Sequence, residues 1–509
     1  MKLKNIILLT GMLLPVSTVF AQYAEDALRF SQTEQGATAR FRALGSAQTA
    51  LGGDASSLAS NPAGLGLFTR SELSFTPDIS SSSIKGNYLN GTSSMQKDGG
   101  GINQFAVVFY NPTKRSSNTA ATTGWLSFNF GIAYNKTNNF NNTTDYNGLN
   151  PKSSFADYLS ELALDPDDAL ATAGYDSHLV ELDANTKTYF PISDINNTQV
   201  NTVFRTGNQS EVNFSLGGNY SNQLYIGGSI GLTSINYNAD RRFNESGLTL
   251  DQAGINSAGL SVYDETKPYL NAGYTLSYRS NQITDGTGIN AKLGLIYRLN
   301  PSLRFGLNFI SPTWYTIDDS FSEGLGVRYT KQNGTKENLD NADNVYSTNY
   351  SLRTPYKINA GAAIIINKFG LLTGDVEYVD YASMHFSTDS REPTNKTNGD
   401  IRSMYQSAVN LKVGAEVKLN PLMIRAGYNI NGNPYQNGNF TSNAFTTGLG
   451  YRINNLSFDI TYVNSTTTSE TSPYQISQGY RYYSSTGSGE VAKIEDKRNN
   501  VFATIGFRF

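Results

Sequence analysis

From residue 409 to residue 419 the chain alternates apolar and polar at every step. Val409, Leu411, Val413, Ala415, Val417 and Leu419 fall on one side, and Asn410, Lys412, Gly414, Glu416 and Lys418 on the other. Successive side chains of an extended strand point to opposite faces, so this is an amphipathic strand with one face that must leave water. Asn420-Pro421 makes a tight turn, and the split returns with Leu422, Ile424, Ala426, Tyr428 and Ile430 against Arg425, Gly427 and Asn429. The same alternation starts at Val212, Ile289, Leu303, Leu449 and Leu456. A chain of many such strands either stacks two sheets or closes one sheet with its apolar face turned to lipid.

The connections favour closure. Short ones are Ser221-Asn222-Gln223, Asn300-Pro301, Asn367-Lys368, Asn420-Pro421 and Asn454-Asn455; long ones cover 80–102, 138–209, 238–286, 318–350, 385–404, 432–442 and 468–498. The two kinds alternate. In bacterial outer-membrane barrels short turns face the periplasm and long loops face outside. Soluble sandwiches and propellers also alternate apolar with polar, but their loops are not so lopsided. The 32 Tyr and 26 Phe supply rings for aromatic girdles at the membrane interfaces. With both termini on the short-turn side the strand count is even. The reading is an all-β transmembrane antiparallel barrel of about 14 strands. Sixteen stays open, because residues 270–299 hold more strand-like sequence than the ~9–11 residues one crossing needs.

Met1 to Ala21 reads as a secretory signal, with Lys2 and Lys4, an apolar centre from Ile6 to Leu14, and Val19-Phe20-Ala21 as the cleavage site. Residues 22–68 read as a plug of short helices inside the lumen, and 69–509 as the barrel. The plug is rich in small residues, among them Gly45, Ala47, Ala50, Gly52, Gly53 and Ala55. Leu51, Leu58, Leu65, Leu67 and Phe68 make it too apolar for a solvated linker. Asp54 suits the cap of a short helix that Asn61-Pro62 ends. The last strand carries Val501, Ala503, Ile505, Phe507 and Phe509 on one face. Its aromatic end resembles the signal by which barrel-assembly machinery takes up outer-membrane strands.

The chain has no cysteine, so thiol catalysis and thiolate metal sites are excluded. Its only imidazoles are His178 and His385, and both fall in expected outer loops. There is no metal-ligand spacing and no phosphate-cradling glycine motif, so no cofactor and no metal is expected. The net charge of −3 offers no field for nucleic acid. Lysines, arginines and acids on the polar strand faces read as ion pairs within a wet lumen.

Signal, small-residue segment, Ser60-Asn61-Pro62-Ala63-Gly64-Leu65 and a barrel ending in Phe together resemble the FadL/TodX-type outer-membrane transporters of hydrophobic compounds. The resemblance covers essentially the whole chain and rests on the hatch motif Asn61, Pro62, Ala63, Gly64. It implies a bacterial outer-membrane protein that is not an enzyme and that passively takes up long-chain fatty acids or other hydrophobic small molecules. The ligand is caught in a groove among the outer loops, passes to an inner site above the hatch, and leaves sideways into outer-membrane lipid at an inward kink of the third strand. That strand is expected over 124–138, with Gly131 as the candidate kink. Two features depart from the family pattern: the long 138–209 insert, helix-like from Phe155 to Leu164, and the 238–286 loop. Asn61 either tethers a ligand carboxylate or locks the plug. The alternatives are an adhesin or structural surface barrel, a haemin receptor, and an outer-membrane lipid hydrolase using His178 or His385.

Overall fold

The computed structural model describes residues 19–34, 37–114, 123–183, 185–257, 269–367, 369–476 and 490–509. Fourteen antiparallel strands form a closed barrel. They are β1 (Glu72–Tyr88), β2 (Gly91–Phe109), β3 (Trp125–Asn139), β4 (Asn197–Tyr220), β5 (Leu224–Leu248), β6 (Gly273–Arg298), β7 (Leu303–Ile310, resuming as Trp314–Thr330), β8 (Asn344–Arg353, resuming as Lys357–Ile366), β9 (Gly370–Asp380), β10 (Ser407–Leu419), β11 (Leu422–Asn431), β12 (Thr441–Ile453), β13 (Leu456–Thr471) and β14 (Ala492–Arg508). β14 pairs with β1, so the sheet has no free end. Residues 270–299 form one crossing, not two, which settles the count at fourteen.

Which face points outward follows from exposure. Val409, Leu411, Val413, Val417 and Leu419 are exposed, whereas Asn410, Glu416 and Arg425 are buried. The apolar faces form an outer belt that suits lipid, and the polar faces line the lumen. A charge at mid-belt has no such home. We expect Val413→Arg to lower barrel stability by about 2–4 kcal/mol, read by urea titration in lipid vesicles. An unchanged midpoint would mean that this face does not meet hydrocarbon.

The short turns fall at the expected positions; Lys368 lies outside the described residues. Asn222, Asn367 and Asn454 take positive φ there, a conformation asparagine tolerates. The long loops are shorter than expected. Residues 80–102 are a strand hairpin turning at Leu89-Asn90, and β4, β5 and β6 reach well past the belt. Apolar residues there, such as Ile84, Tyr88, Phe243 and Tyr278, point inward and are interspersed with polar ones, and the outward face is polar, so the lipid-facing alternation does not mark these stretches as strands.

The lumen holds the amino-terminal segment, beginning with α1 (Val19–Ser31) and α2 (Ala39–Ala43). Two 3-10 turns follow, Ala55–Leu58 and Pro62–Leu67. The expected signal lies outside the described residues up to residue 18, and α1 runs through the expected cleavage point. Outside the belt, α3 (Phe155–Leu162) and α4 (Ala169–Asp176) cover a second apolar core with Phe243, Tyr278, Tyr329 and Tyr474. Two further helices, α5 (Gln252–Ser257) and α6 (Arg391–Met404), lie in outer loops. Among the described residues no helix is long and apolar enough to cross a membrane.

Candidate functional site

The hatch is held by its backbone. Asn61 caps the turn Pro62–Leu67: its Oδ1 accepts from the Ala63 amide at 3.1 Å. Its Nδ2 donates to Thr49 O at 2.7 Å and lies 3.4 Å from Leu295 O on β6 and from Leu307 O on β7. Asn61 therefore joins two hatch segments to each other and to the wall, and every hydrogen bond described for it goes to backbone. Pro62, Ala63 and Gly64 are buried beside it. Asp54 caps the preceding turn at the Ser56 amide and also accepts from Thr38 Oγ1 at 2.9 Å.

The wall answers with groups that no sequence motif marks. Asp375 on β9 accepts from the amides of Gln48 and Thr49 and from Thr49 Oγ1, at 2.7–2.8 Å. Asn129 on β3 donates to Leu65 O, and Ser215 on β4 to Leu58 O. Between these anchors the lumen face carries glycines where the hatch backbone touches it. A Cβ on Gly294 would lie 1.8 Å from Asn61 Oδ1, and one on Gly427 2.1 Å from Gly45 N. The glycines on the polar strand faces are thus the seat of the plug.

Several of the lumen charges pair. Arg425 Nε reaches Glu416 at 2.6 Å and its Nη1 reaches Asp459 at 2.5 Å; Lys412 lies 3.4 Å from Glu377, and Lys292 pairs with Glu211. Arg40 of the hatch joins Glu416 at 3.3 Å. Arg304 donates to Leu51 O of the hatch. His178 faces Glu181 in the outer cap at 2.9 Å, while His385 sits exposed on a different outer strand.

Gly131 lies in ladder on both sides, opposite Val108 and Ser215, and its bare Cα admits Leu58 of the hatch. In its ladder with β4, β3 shifts register between Trp125 and Ser127 and between Lys136 and Asn138. On its other side β2 pairs with β3 only over 104–109, so residues 91–103 of β2 have no ladder there. Thr137 O, within β3, accepts from the Glu34 amide. Beyond β3, Asn142–Asn150 is a further strand paired with β4, and Ser93 Oγ donates to Asp145 O on it.

Above the hatch, α1 fills an aromatic chamber. Tyr23, Ala27, Leu28 and Phe30 are buried in one cluster with Ile235, Tyr237, Tyr315, Ile317, Tyr350, Leu352 and Phe386. The Tyr23 ring stacks on Phe386 at 5.0 Å, and Phe30 meets Tyr237 at 6.0 Å. An isolated helix this short is marginal in water, so burial holds it. Each large apolar side chain contributes about 1.5–3 kcal/mol. A molecule of about ten buried methylenes gains a comparable amount at ~0.8 kcal/mol each.

One polar knot crosses this interface. Asp26 is paired with Arg29 on the same helix and accepts from Gln282 Nε2 on β6 at 2.7 Å; Gln282 also reaches Asp319 on β7 at 3.0 Å. Burial pushes the Asp26 carboxyl up to about 6; Arg29 and the Gln282 bond oppose this, and Asp319 and Glu25 add to it. The phenols of Tyr23, Tyr350 and Tyr405 also lie nearby. A carboxyl raised in the docked state favours docking when protonated. Docking is therefore strongest below the free value of 3.8 and weakens as pH rises through 6. We expect the amides of 22–31 to be about tenfold better protected from hydrogen exchange at pH 5 than at pH 7.5, after correction for the intrinsic rate. Equal protection at the two pH values would contradict this.

No family model matches the chain, and no curated protein matches it. Solved structures do. The Pseudomonas putida toluene transporter TodX aligns over 93% of this chain and 99% of its own, with a TM-score of 0.51 at 14% identity. A Pseudomonas aeruginosa FadL homologue aligns over 94% and 98%, with a TM-score of 0.52 at 12% identity. In its closed fourteen-stranded wall and amino-terminal hatch, the chain has the fold of the FadL/TodX-type outer-membrane transporters.

Proposed function

We propose that the protein is a passive channel of the bacterial outer membrane for hydrophobic small molecules. The observation that carries this reading is the interrupted ladder between β2 and β3 above residues 104 and 135. We read it as a seam in the wall beside the lumen, with the hatch blocking the straight way down. A hydrophobic molecule gains nothing by crossing to water but keeps its burial energy by moving sideways into lipid. Asn61, with Pro62, Ala63 and Gly64, keeps the floor shut; we assign it the locking role because its bonds go to backbone. Gly131 serves hatch packing, and the seam starts where the ladder of β2 with β3 ends, at Gln104 and Asn135.

The test is uptake. A host lacking its own hydrophobe channels and expressing this chain is expected to take up labelled naphthalene or oleate several-fold faster. Gly101→Cys with Lys136→Cys, bridged by a reducible bis-thiol linker, is expected to stop uptake until the linker is cut. The natural chain has no cysteine to interfere. Uptake unaffected by the bridge removes the sideways route, and no uptake by the parent removes the transport reading.

A further inference from the structure

β6 and β7 meet at the short turn Asn300-Pro301, and just inside it their ladder sets Arg298 directly opposite Arg304. Both side chains turn into the lumen. Tyr297, Leu299 and Phe305 are exposed on the lipid face, while Ile296, in step with Arg298, is buried with Ala63 of the hatch. Arg304 donates through Nη1 to Leu51 O at 2.9 Å, and its Nε is buried with no hydrogen bond. Among the described residues the Arg298 guanidinium has neither a hydrogen bond nor an ion pair. We infer that these two arginines form an anion site on the short-turn side of the hatch, and that it takes a phosphoryl group.

Residues that face each other across an antiparallel ladder hold their Cβ atoms about 4.5–5.5 Å apart, and like charges so placed repel. Elsewhere in the lumen an acid answers the cation: Glu416 and Asp459 answer Arg425, Glu377 answers Lys412, Glu211 answers Lys292 and Glu72 answers Arg508. Here the charged groups that act on Arg304 are Arg298 and Arg40, both guanidiniums, and the remaining ionisable neighbour is the Tyr225 phenol. The balancing charge therefore comes from outside the chain. Both arginines are half-buried, so water at the short-turn end reaches them. Each guanidinium offers a flat fork of donors. A carboxylate has two oxygens in one plane and matches one fork, and chloride is a single point. A phosphoryl group has three acceptor oxygens and a charge of about −1.5 to −2 at pH 7, enough to serve two forks at once. Because Arg304 also holds Leu51 O, an anion bridging the pair ties the hatch to β6 as well as to β7.

The full chain in dodecyl maltoside is expected to bind inorganic phosphate saturably by titration calorimetry, and Arg298→Gln to bind it about tenfold more weakly. Arg298→Lys keeps the charge without the fork and should fall between them. Stability gives a second readout with an unusual sign. Without phosphate, Arg298→Gln loses a repulsion, so it is expected to keep its folded gel mobility to the temperature of the parent or above. Added phosphate is expected to raise that temperature for the parent alone. Sodium chloride at the same ionic strength separates binding from screening. No saturable binding, equal binding by parent and Arg298→Gln, or a gain in the parent that chloride reproduces would each overturn the site. Nanodiscs assign the source of the phosphoryl group. If phosphatidylglycerol discs abolish the binding seen in dodecyl maltoside, the natural occupant is a lipid head group; if binding persists in them, it is a soluble phosphate. The site stands in both cases, and it stands or falls apart from what the channel carries.

Discussion

Gly294→Ala is expected to unseat the hatch and turn a closed barrel into a conducting one. The added Cβ would stand 1.8 Å from Asn61 Oδ1 and 3.0 Å from the Ala63 amide. Asn61 cannot swing away without giving up Thr49 O at 2.7 Å. Thr49 in turn is gripped by Asp375 through its amide and hydroxyl. Overpacking a well-filled interior usually costs about 1–3 kcal/mol, and here the obstacle is a tied side chain and backbone. Planar-bilayer conductance is the measure, with a several-fold rise expected. Gly228→Ala is the control, since its Cβ meets nothing nearer than 3.8 Å. If both variants are as silent as the parent, the girdle of glycines is not the seat we take it to be.

Arg425→Ala should destabilise the barrel most of all single lumen substitutions. The side chain is 1% exposed and bridges Glu416, itself 0% exposed, to Asp459. Removing one partner of a buried ion pair leaves an uncompensated charge, at a cost of about 3–5 kcal/mol. Arg40 and Lys418 remain near Glu416 at 3.3 and 3.6 Å and offset part of that loss. Arg425→Lys keeps the charge but not the fork that reaches both acids, so it should fall between parent and alanine variant. The temperature at which the barrel loses its folded gel mobility reports the order. An alanine variant that unfolds with the parent would show that water already screens this network.

Much of the wall was legible because lipid enforces the pattern. Where one face meets hydrocarbon and the other water, every second residue must be apolar, as from Val409 to Leu419. The asparagine turns were legible for a different local reason, their tolerance of positive φ. Residues 80–102 were not, because the outer face there is polar and the buried one carries Ser82, Ile84, Gly86 and Tyr88, too mixed a set to read as an apolar period. Helix α6, with Pro393 and Gly399 inside it, lacks the usual helix signature and is fixed by its place in the loop. Asn61 was legible as part of a motif, but its Leu295 and Leu307 contacts depend on register, which spacing does not reveal. Asp375 looked like any lumen acid. What sets it apart is two hatch amides more than three hundred residues away in sequence.

The wall is also uneven in height. β6 has 26 residues while β11 has 10; at about 3.4 Å per residue and a tilt near 40°, one flank stands roughly 40 Å taller than the other. The mouth is therefore lower on the β9–β12 flank, and there the loop that carries α6 stands in for strand, bringing Ile401 and Tyr405 into the α1 cluster.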